Sequence, residues 1–313
     1  MGFADIITQI MTSIIVPIRN APEQAGALLA KLETQTVSDE IIIVDSSTAG
    51  QEVAASWGVR VIRVDPRDFD HGGTRTLAAE EAKGDIVVYL SQDALPSDDR
   101  AVEKLVEPFG DEAVAAAYGR QLPHPGASPF GAHLRLFNYP GTSSVRGIAD
   151  KGRFGIRTPF LSNAFAAYRR KALAGIGGFK KRLIMGEDVY AGAKLLMAGY
   201  RIAYAAGAAV YHSHNYTALQ EFRRYFDIGV FHASERWILD EFGRAGGEGM
   251  RYIGSGVTYL TKEGKPWLVP EFLLRGCLKY AGYALGSNYE KMPPALVRKF
   301  SMHPRWWDEE KRQ

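Results

Sequence analysis

Four short runs, Ser13-Ile14-Ile15-Val16, Ile41-Ile42-Ile43-Val44, Val59-Arg60-Val61-Ile62 and Ile86-Val87-Val88-Tyr89-Leu90, are apolar and β-branched along nearly their whole length. A strand with one wet face alternates apolar and polar residues, so runs without alternation belong to a sheet covered on both faces. The segments between them have helical spacing: Leu28, Leu29 and Leu32 precede the second run, and Thr74 to Lys83 precede the fourth, with Gly84 where a helix usually stops. This β-α-β-α order specifies an α/β fold, a Rossmann-like, mainly parallel sheet flanked by helices.

Further along, a strand is expected from Ala113 to Tyr118. Gln121 to Pro159 is rich in Pro, Gly and Ser without a sustained period, and reads as a long loop with a lid or acceptor-binding role. Regular structure resumes at Phe160 to Tyr168, followed by a helix from Asp188 to Ala198 ended by Gly199, and a strand from Arg201 to Tyr211. From Thr217 the character changes. Leu219, Phe222, Phe226, Val230 and Phe231 recur at helical spacing beside Arg223, Arg224, Asp227, Glu235 and Arg236. A second helix from Glu271 to Leu285 and the terminal Arg305-Trp306-Trp307 complete a C-terminal helical extension. The expected division is residues 1–216 and a helical region 217–313.

With 313 residues, 46% of them hydrophobic, the chain can bury a full core, which excludes a disordered or fibrous class. Its one cysteine, Cys277, has no internal partner, and the N-terminus lacks the pattern of a secretory leader. The longest apolar stretch, Ala191 to Tyr211, is broken by Lys194, Arg201 and glycines, too polar for a spanning helix. The expected setting is therefore reducing and cytoplasmic, with peripheral contact at the inner membrane face open to the helical extension. A net charge of +3 suits an anionic ligand such as a nucleotide diphosphate, or an anionic bilayer surface, and carries no footprint of a nucleic-acid partner.

In an open parallel sheet, ligands bind beyond the carboxyl ends of the strands. Polar residues fall there: Pro17-Ile18-Arg19-Asn20 after the first run, Asp45-Ser46-Ser47-Thr48 after the second, Ser91-Gln92-Asp93-Ala94 after the fourth. Asp45 and the hydroxyls beside it have the chemistry to hold a nucleobase and ribose, or alternatively to cap a helix beginning near Gly50. Asp93 is placed to bind Mg²⁺ or Mn²⁺, which take oxygen ligands and complete their shell with substrate phosphates. Phe69-Asp70-His71-Gly72-Gly73-Thr74-Arg75 combines glycines that admit a ligand to backbone N–H groups with an arginine that can grip a phosphate.

These segments resemble the family-2 glycosyltransferases of the GT-A fold. Val16-Pro17-Ile18-Arg19-Asn20 is similar to that family's opening segment, Val44-Asp45-Ser46-Ser47-Thr48 to its nucleotide-binding loop, and Ser91-Gln92-Asp93-Ala94 stands at its metal motif. His71-Gly72-Gly73-Thr74-Arg75 followed by Ser91-Gln92-Asp93-Ala94 is similar to bacterial rhamnosyltransferases of the family. Two positions depart: Ala49-Gly50 replaces an acidic residue of the nucleotide loop, and Gln92 leaves the metal motif with one carboxylate.

The resemblance implies an inverting, metal-dependent transfer of a sugar from dTDP-L-rhamnose or a UDP-sugar to a cell-surface glycan or lipid-linked acceptor. Pro17, Arg19, Asp45, Ser46, His71, Gly72, Arg75, Gln92 and Asp93 are then donor-binding. Met185-Gly186-Glu187-Asp188 carries the family's acidic pair, with Asp188 as general base and Glu187 as its neighbour. His212 and His214 complete a Mn²⁺ or Mg²⁺ shell with Asp93. Asn163, Arg223 and Arg224 are acceptor residues, the arginines through a faint likeness of Gln220-Glu221-Phe222-Arg223-Arg224-Tyr225 to a motif of processive synthases. A sugar nucleotidyltransferase would carry a Gly-rich basic loop after the first strand, which Val16 to Asn20 lacks. A binding module without catalysis has no use for a general base at Asp188.

Overall fold

A computed structural model of the chain describes residues 10–49, 59–243 and 246–310; the helix expected near Gly50 lies outside them. The described strands are β1 (Thr12–Ile18), β2 (Glu40–Asp45), β3 (Arg60–Arg63), β4 (Ile86–Leu90), β5 (Leu95–Pro96), β6 (Val114–Leu122), β7 (Ser144–Arg146), β8 (Phe165–Arg169) and β9 (Arg201–Tyr211). The helices are α1 (Pro22–Glu33), α2 (His71–Glu81), α3 (Ala101–Val106), α4 (Pro129–Asn138), α5 (Lys151–Phe154), α6 (Arg170–Gly175) and α7 (Glu187–Met197), then α8 (Ala218–Ser234), α9 (Arg236–Phe242), α10 (Glu248–Lys262), α11 (Val269–Gly286), α12 (Pro294–Phe300) and α13 (Pro304–Glu310).

One sheet runs β3-β2-β1-β4-β8-β6-β9-β5, with β7 beside β9. The first four strands are parallel, as their unbroken apolar runs require. Beyond β4 the sheet is mixed, because β8 enters antiparallel to both β4 and β6. Both faces are covered. Ile15, Val87, Tyr89 and Tyr168 face one apolar layer, and Ile14, Val16, Val88 and Phe165 face the other. Full burial of each such side chain stabilises by roughly 1.5–3 kcal/mol.

Local signals explain the helix ends. Gly199, at φ +88°, closes α7: its N–H donates to the Leu196 carbonyl and that of Tyr200 to Leu195. Gly84 has another role. The helix before it stops at Glu81, and a Cβ at Gly84 would stand 2.5 Å from the Ser13 nitrogen, so this glycine admits the close pass of β1. The 121–159 segment is not structureless either. It holds the end of β6, then α4, β7 and α5, because Ser128 caps α4 by accepting the Gly131 N–H and Pro129 starts the helix.

The C-terminal helices are joined to the sheet domain. Phe226, Val230, Ile238, Phe242 and Val297 belong to the same apolar layer as Tyr89 and Tyr168. Phe130 of α4 stacks on Phe272 of α11 at 6.3 Å. Helices α8 and α11 touch backbone to backbone: a Cβ at Gly282 would lie 2.4 Å from the Phe222 carbonyl oxygen, and one at Gly286 1.9 Å from that of Phe226. Gly286→Ala is therefore expected to destabilise the chain by about 1–3 kcal/mol. Gly254→Ala, with nothing within 4 Å in an exposed stretch of α10, should be neutral or slightly stabilising. Urea denaturation midpoints check both; equal midpoints would remove the close helix contact as a determinant.

Candidate functional site

Strand direction decides where polar residues collect. β1, β2 and β4 end at the edge where β6 and β9 also end and where β8 begins. The loops after the first three are stitched together. The Ser46 N–H and hydroxyl donate to the Ile18 carbonyl at 2.9 and 3.2 Å. The Asn20 N–H donates to Ser47 Oγ at 2.8 Å, while Asn20 Oδ1 accepts the Thr48 N–H at 2.9 Å, and the backbone of Asn20 takes φ +51°, which asparagine tolerates. The Arg19 N–H donates to Gln92 Oε1 at 2.9 Å, joining the β1 and β4 loops.

Asp45 is buried at the end of β2, accepting the Ser47 N–H and a hydrogen bond from Arg63, both at 2.9 Å. Arg63, at the end of β3, went unnoticed in the sequence. The rule that found Asp45 applies to it equally. Pro17 lies inside β1, paired in register with Val44.

At the far side of the same edge, Asp93 meets His212 and His214, which follow β9. Nε2 of His212 lies 3.5 Å and Nδ1 of His214 3.8 Å from the Asp93 carboxylate. One ligand atom from each of the three falls within 4.8 Å of the others. Burial drives the His212 pKa down to about 2, with repulsion from Arg135 and His214 adding to it. Burial lowers His214 as well, against the pull of Asp93. Both shifts favour the neutral ring, the form that metal ligation requires.

The tautomer of His212 follows from its neighbours. Gln121 Oε1 accepts a hydrogen bond from the Arg135 guanidinium, which can only donate, and Gln121 Nε2 donates to Ser162 Oγ at 2.8 Å. Nδ1 of His212 sits 2.8 Å from that same Oε1 and so must carry the proton. Nε2 is left with its lone pair toward Asp93. This arrangement of carboxylate, two imidazoles and an amide holding one imidazole fits a divalent cation. No local signal in the sequence marks Gln121 and Arg135, because both lie in the 121–159 segment that reads as loop, whereas β6 runs on to Leu122 and Arg135 stands on α4.

The third corner is the start of α7. Glu187 is buried, 3.3 Å from Arg75, and accepts from the Asn163 amide at 3.2 Å. Arg75 and His71 hold its pKa below the ordinary range despite burial. Asp188, partly open, accepts the Asn163 N–H at 3.1 Å. Burial and the ionised Glu187 beside it push its pKa upward.

Several expectations change here. Arg75 is itself buried against Glu187, so it positions a carboxylate instead of gripping a phosphate. Gly72 faces the Lys180 carbonyl, where a Cβ would stand 2.0 Å away, and the Gly73 N–H is taken by the N-cap Asp70; these glycines serve packing and capping. The His71 ring lies edge-on to Phe69 at 5.0 Å and to His303 at 6.2 Å, and burial lowers its pKa. Asn163 is 4% exposed and its amide and backbone N–H are both taken by the acidic pair, so it holds that pair in place. Arg224 acts on His212 and His214, lowering both, whereas Arg223 lines a cleft beside α12.

The sequence model described as "Glycosyl transferase family 2" matches residues 13–177. The O-antigen chain rhamnosyltransferase RfbN of Salmonella typhimurium is 42% identical over 301 residues, covering 95% of this chain and 96% of the relative. The O-antigen chain rhamnosyltransferase WbaN of Salmonella anatum is 43% identical over 272 residues, 86% of each chain. Among solved structures, a mannosyltransferase from Pyrobaculum calidifontis in complex with GDP-Man and Mn²⁺ shares the fold at a TM-score of 0.56 and 18% identity, covering 95% of this chain and 85% of that one.

Replacing Gln121 by Leu removes the acceptor that fixes the His212 tautomer. Mn²⁺ affinity, read by electron paramagnetic resonance titration, should fall about 10–100-fold in Gln121→Leu and be lost in Asp93→Ala. Wild-type affinity in Gln121→Leu would show that His212 needs no such support.

Proposed function

The chain belongs to glycosyl transferase family 2, and we propose that it is an inverting rhamnosyltransferase that builds a surface glycan from dTDP-L-rhamnose. The identity of 42% along 95% of the chain to an O-antigen chain rhamnosyltransferase supports the sugar and the glycan acceptor. The observation that carries the mechanism is one connected network: His212 to Gln121, Gln121 to Ser162, and the adjacent Asn163 to Glu187 and Asp188. It links a cation corner to a base corner across a single strand edge.

Asp93, His212 and His214 would hold Mn²⁺ or Mg²⁺, the two imidazoles favouring Mn²⁺. A cation held there would supply positive charge to offset the charge that develops on a departing nucleoside diphosphate. Arg224 and Arg135 add positive field on the same side. Arg19 and Gln92 form the wall against which the nucleotide lies, on loops that the buried Asp45 and Ser46 hold in place. Asp188 takes the proton of the acceptor hydroxyl while its oxygen attacks the anomeric carbon from the face opposite the leaving diphosphate, inverting the centre. Glu187 sets the basicity of Asp188, Arg75 and Asn163 set the position of Glu187, and residues 1–216 form the catalytic domain.

No helix among the described residues is long and apolar enough to cross a membrane. The exposed Leu273, Leu274, Tyr280 and Leu285 along α11 support a peripheral position on the inner membrane face for the 217–313 region.

Because a general base works only when ionised, transfer should rise with pH through a limb near about 7, well above an ordinary carboxylate. Asp188→Asn should bind donor yet lose transfer by about 10²–10⁴-fold. Glu187→Gln removes the charge that disfavours ionisation of Asp188 and should move the limb to lower pH. Transfer retained in Asp188→Asn, or an unmoved limb in Glu187→Gln, sinks this assignment.

A further inference from the structure

Outside the catalytic corner, α8 and the α12–α13 segment enclose a cleft of about 530 Å³, within the range of small-ligand sites. Arg223 reaches it from α8, Arg298 and Lys299 from α12, and Ser301 and Met302 from the connection to α13. The cleft is cationic. Arg298 pairs with Asp308 at 3.0 Å. Arg223 and Lys299 have no hydrogen-bond or ion-pair partner among the described residues, and Arg223 Nε is buried without one. A guanidinium left unmatched in this way selects an oxyanion.

Exposed leucines stand near these cations on the same two helices. Leu219, one turn before Arg223 on α8, is 56% exposed, and Leu296, one turn before Lys299 on α12, is 41% exposed. Each helix thus sets a solvated leucine beside a cation that lines the cleft. Cleft-lining cations at Arg223 and Lys299, each with an exposed leucine one turn away, match an amphiphile with an anionic head.

The cleft also adjoins the catalytic corner. The Met302 N–H donates to the buried Asp227 carboxylate of α8 at 2.8 Å, which fixes the connecting segment. The next residue, His303, lies 6.2 Å from His71 on the helix that carries Arg75 to Glu187. The segment that walls the cleft at Ser301 and Met302 thus leads, at His303, to the helix that holds Glu187.

We propose that this cleft binds the diphosphate head of a lipid-linked acceptor, with Arg223, Arg298 and Lys299 holding the phosphates and Leu219 and Leu296 the first part of the lipid. This rests on the sugar-transfer reading and names the acceptor's anchoring site within it. The sharing of the 217–313 helices between cleft and core explains why the acceptor end of the site is built from the C-terminal region.

The test uses the full chain with a chelator and no donor, titrated with farnesyl diphosphate, with inorganic diphosphate, and with phosphatidylglycerol vesicles. Farnesyl diphosphate should bind at least about ten-fold more tightly than inorganic diphosphate. The Arg223→Gln, Lys299→Gln double variant should weaken both by at least about ten-fold, from the loss of two charged contacts. Leu219→Ser with Leu296→Ser should reduce farnesyl diphosphate to the level of inorganic diphosphate, and a thermal melt confirms that each variant is folded. Equal binding to wild type and charge variant, no binding of farnesyl diphosphate, or binding to vesicles alone overturns the proposal. Donor hydrolysis by the same wild-type preparation separates the two readings: its absence counts against sugar transfer, and its presence without farnesyl diphosphate binding counts against the cleft alone.

Discussion

A carboxylate taken out of water costs several kcal/mol unless it is paired and hydrogen-bonded, and Glu187 is such a carboxylate. Its partners come from three directions: Arg75 from α2, the Asn163 amide from the loop entering β8, and the N-terminal end of its own helix. Meeting that requirement fixes much else. Arg75 reaches Glu187 only if α2 starts at His71, which the Asp70 cap enforces, and only if Lys180 can pass over Gly72. The Tyr89 hydroxyl then donates to the Arg75 carbonyl at 2.8 Å and ties the arrangement to the middle of the sheet. Loss of Arg75 would leave a buried charge unmatched, so the pair specifies one geometry more than it adds net stability.

The same pairing explains how two adjacent carboxylates acquire different tasks. Successive residues on a helix point about 100° apart, so only one can face Arg75. Glu187 takes that place and stays ionised, and its charge then disfavours ionisation of Asp188, which faces the open edge. At the opposite corner, burial and the fields of Arg135 and Arg224 keep the imidazoles neutral with lone pairs available. The strand edge so formed has positive field on one side and a carboxylate of raised proton affinity on the other. That polarity suits a reaction in which an anion leaves one side and a proton is lost at the other.

How much of this could be read from the residues depended on whether a signal was local. The strands β1, β2, β4 and β9 were legible because their apolar runs are unbroken, and Asp93, His212 and His214 because they sit where such strands end. Arg75 was legible as important, but its partner lies 112 positions away in the chain by number, and no local pattern distinguishes an arginine gripping phosphate from one holding a glutamate. Gly72 was misread for the same reason: a glycine before a helix looks alike whether a ligand or the Lys180 carbonyl approaches it. The 121–159 segment hid α4 because Pro, Gly and Ser, read as loop formers, here supply a cap and a first turn.

The boundary near residue 217 marks a change of layer more than a break between bodies. Thr217 caps α8 with Gln220 in a reciprocal pair, so the sequence does start a new element there. Yet Phe226 and Val230 of that element enter the layer that holds Tyr89, and Gly229, Gly282 and Gly286 bring α8 and α11 into backbone contact. Glu221 sits between Arg275 and Lys279 of α11, both 3.3 Å away, and Arg275 also stacks on Phe130 of α4 at 4.4 Å. Helix α8 is thereby held on one side by the sheet and on the other by α11. Its consecutive arginines diverge because of it: Arg224 turns toward the histidines of the strand edge, and Arg223 toward the cleft beside α12. One helix thus carries one charge to the histidine corner and its neighbour to the cleft beside α12.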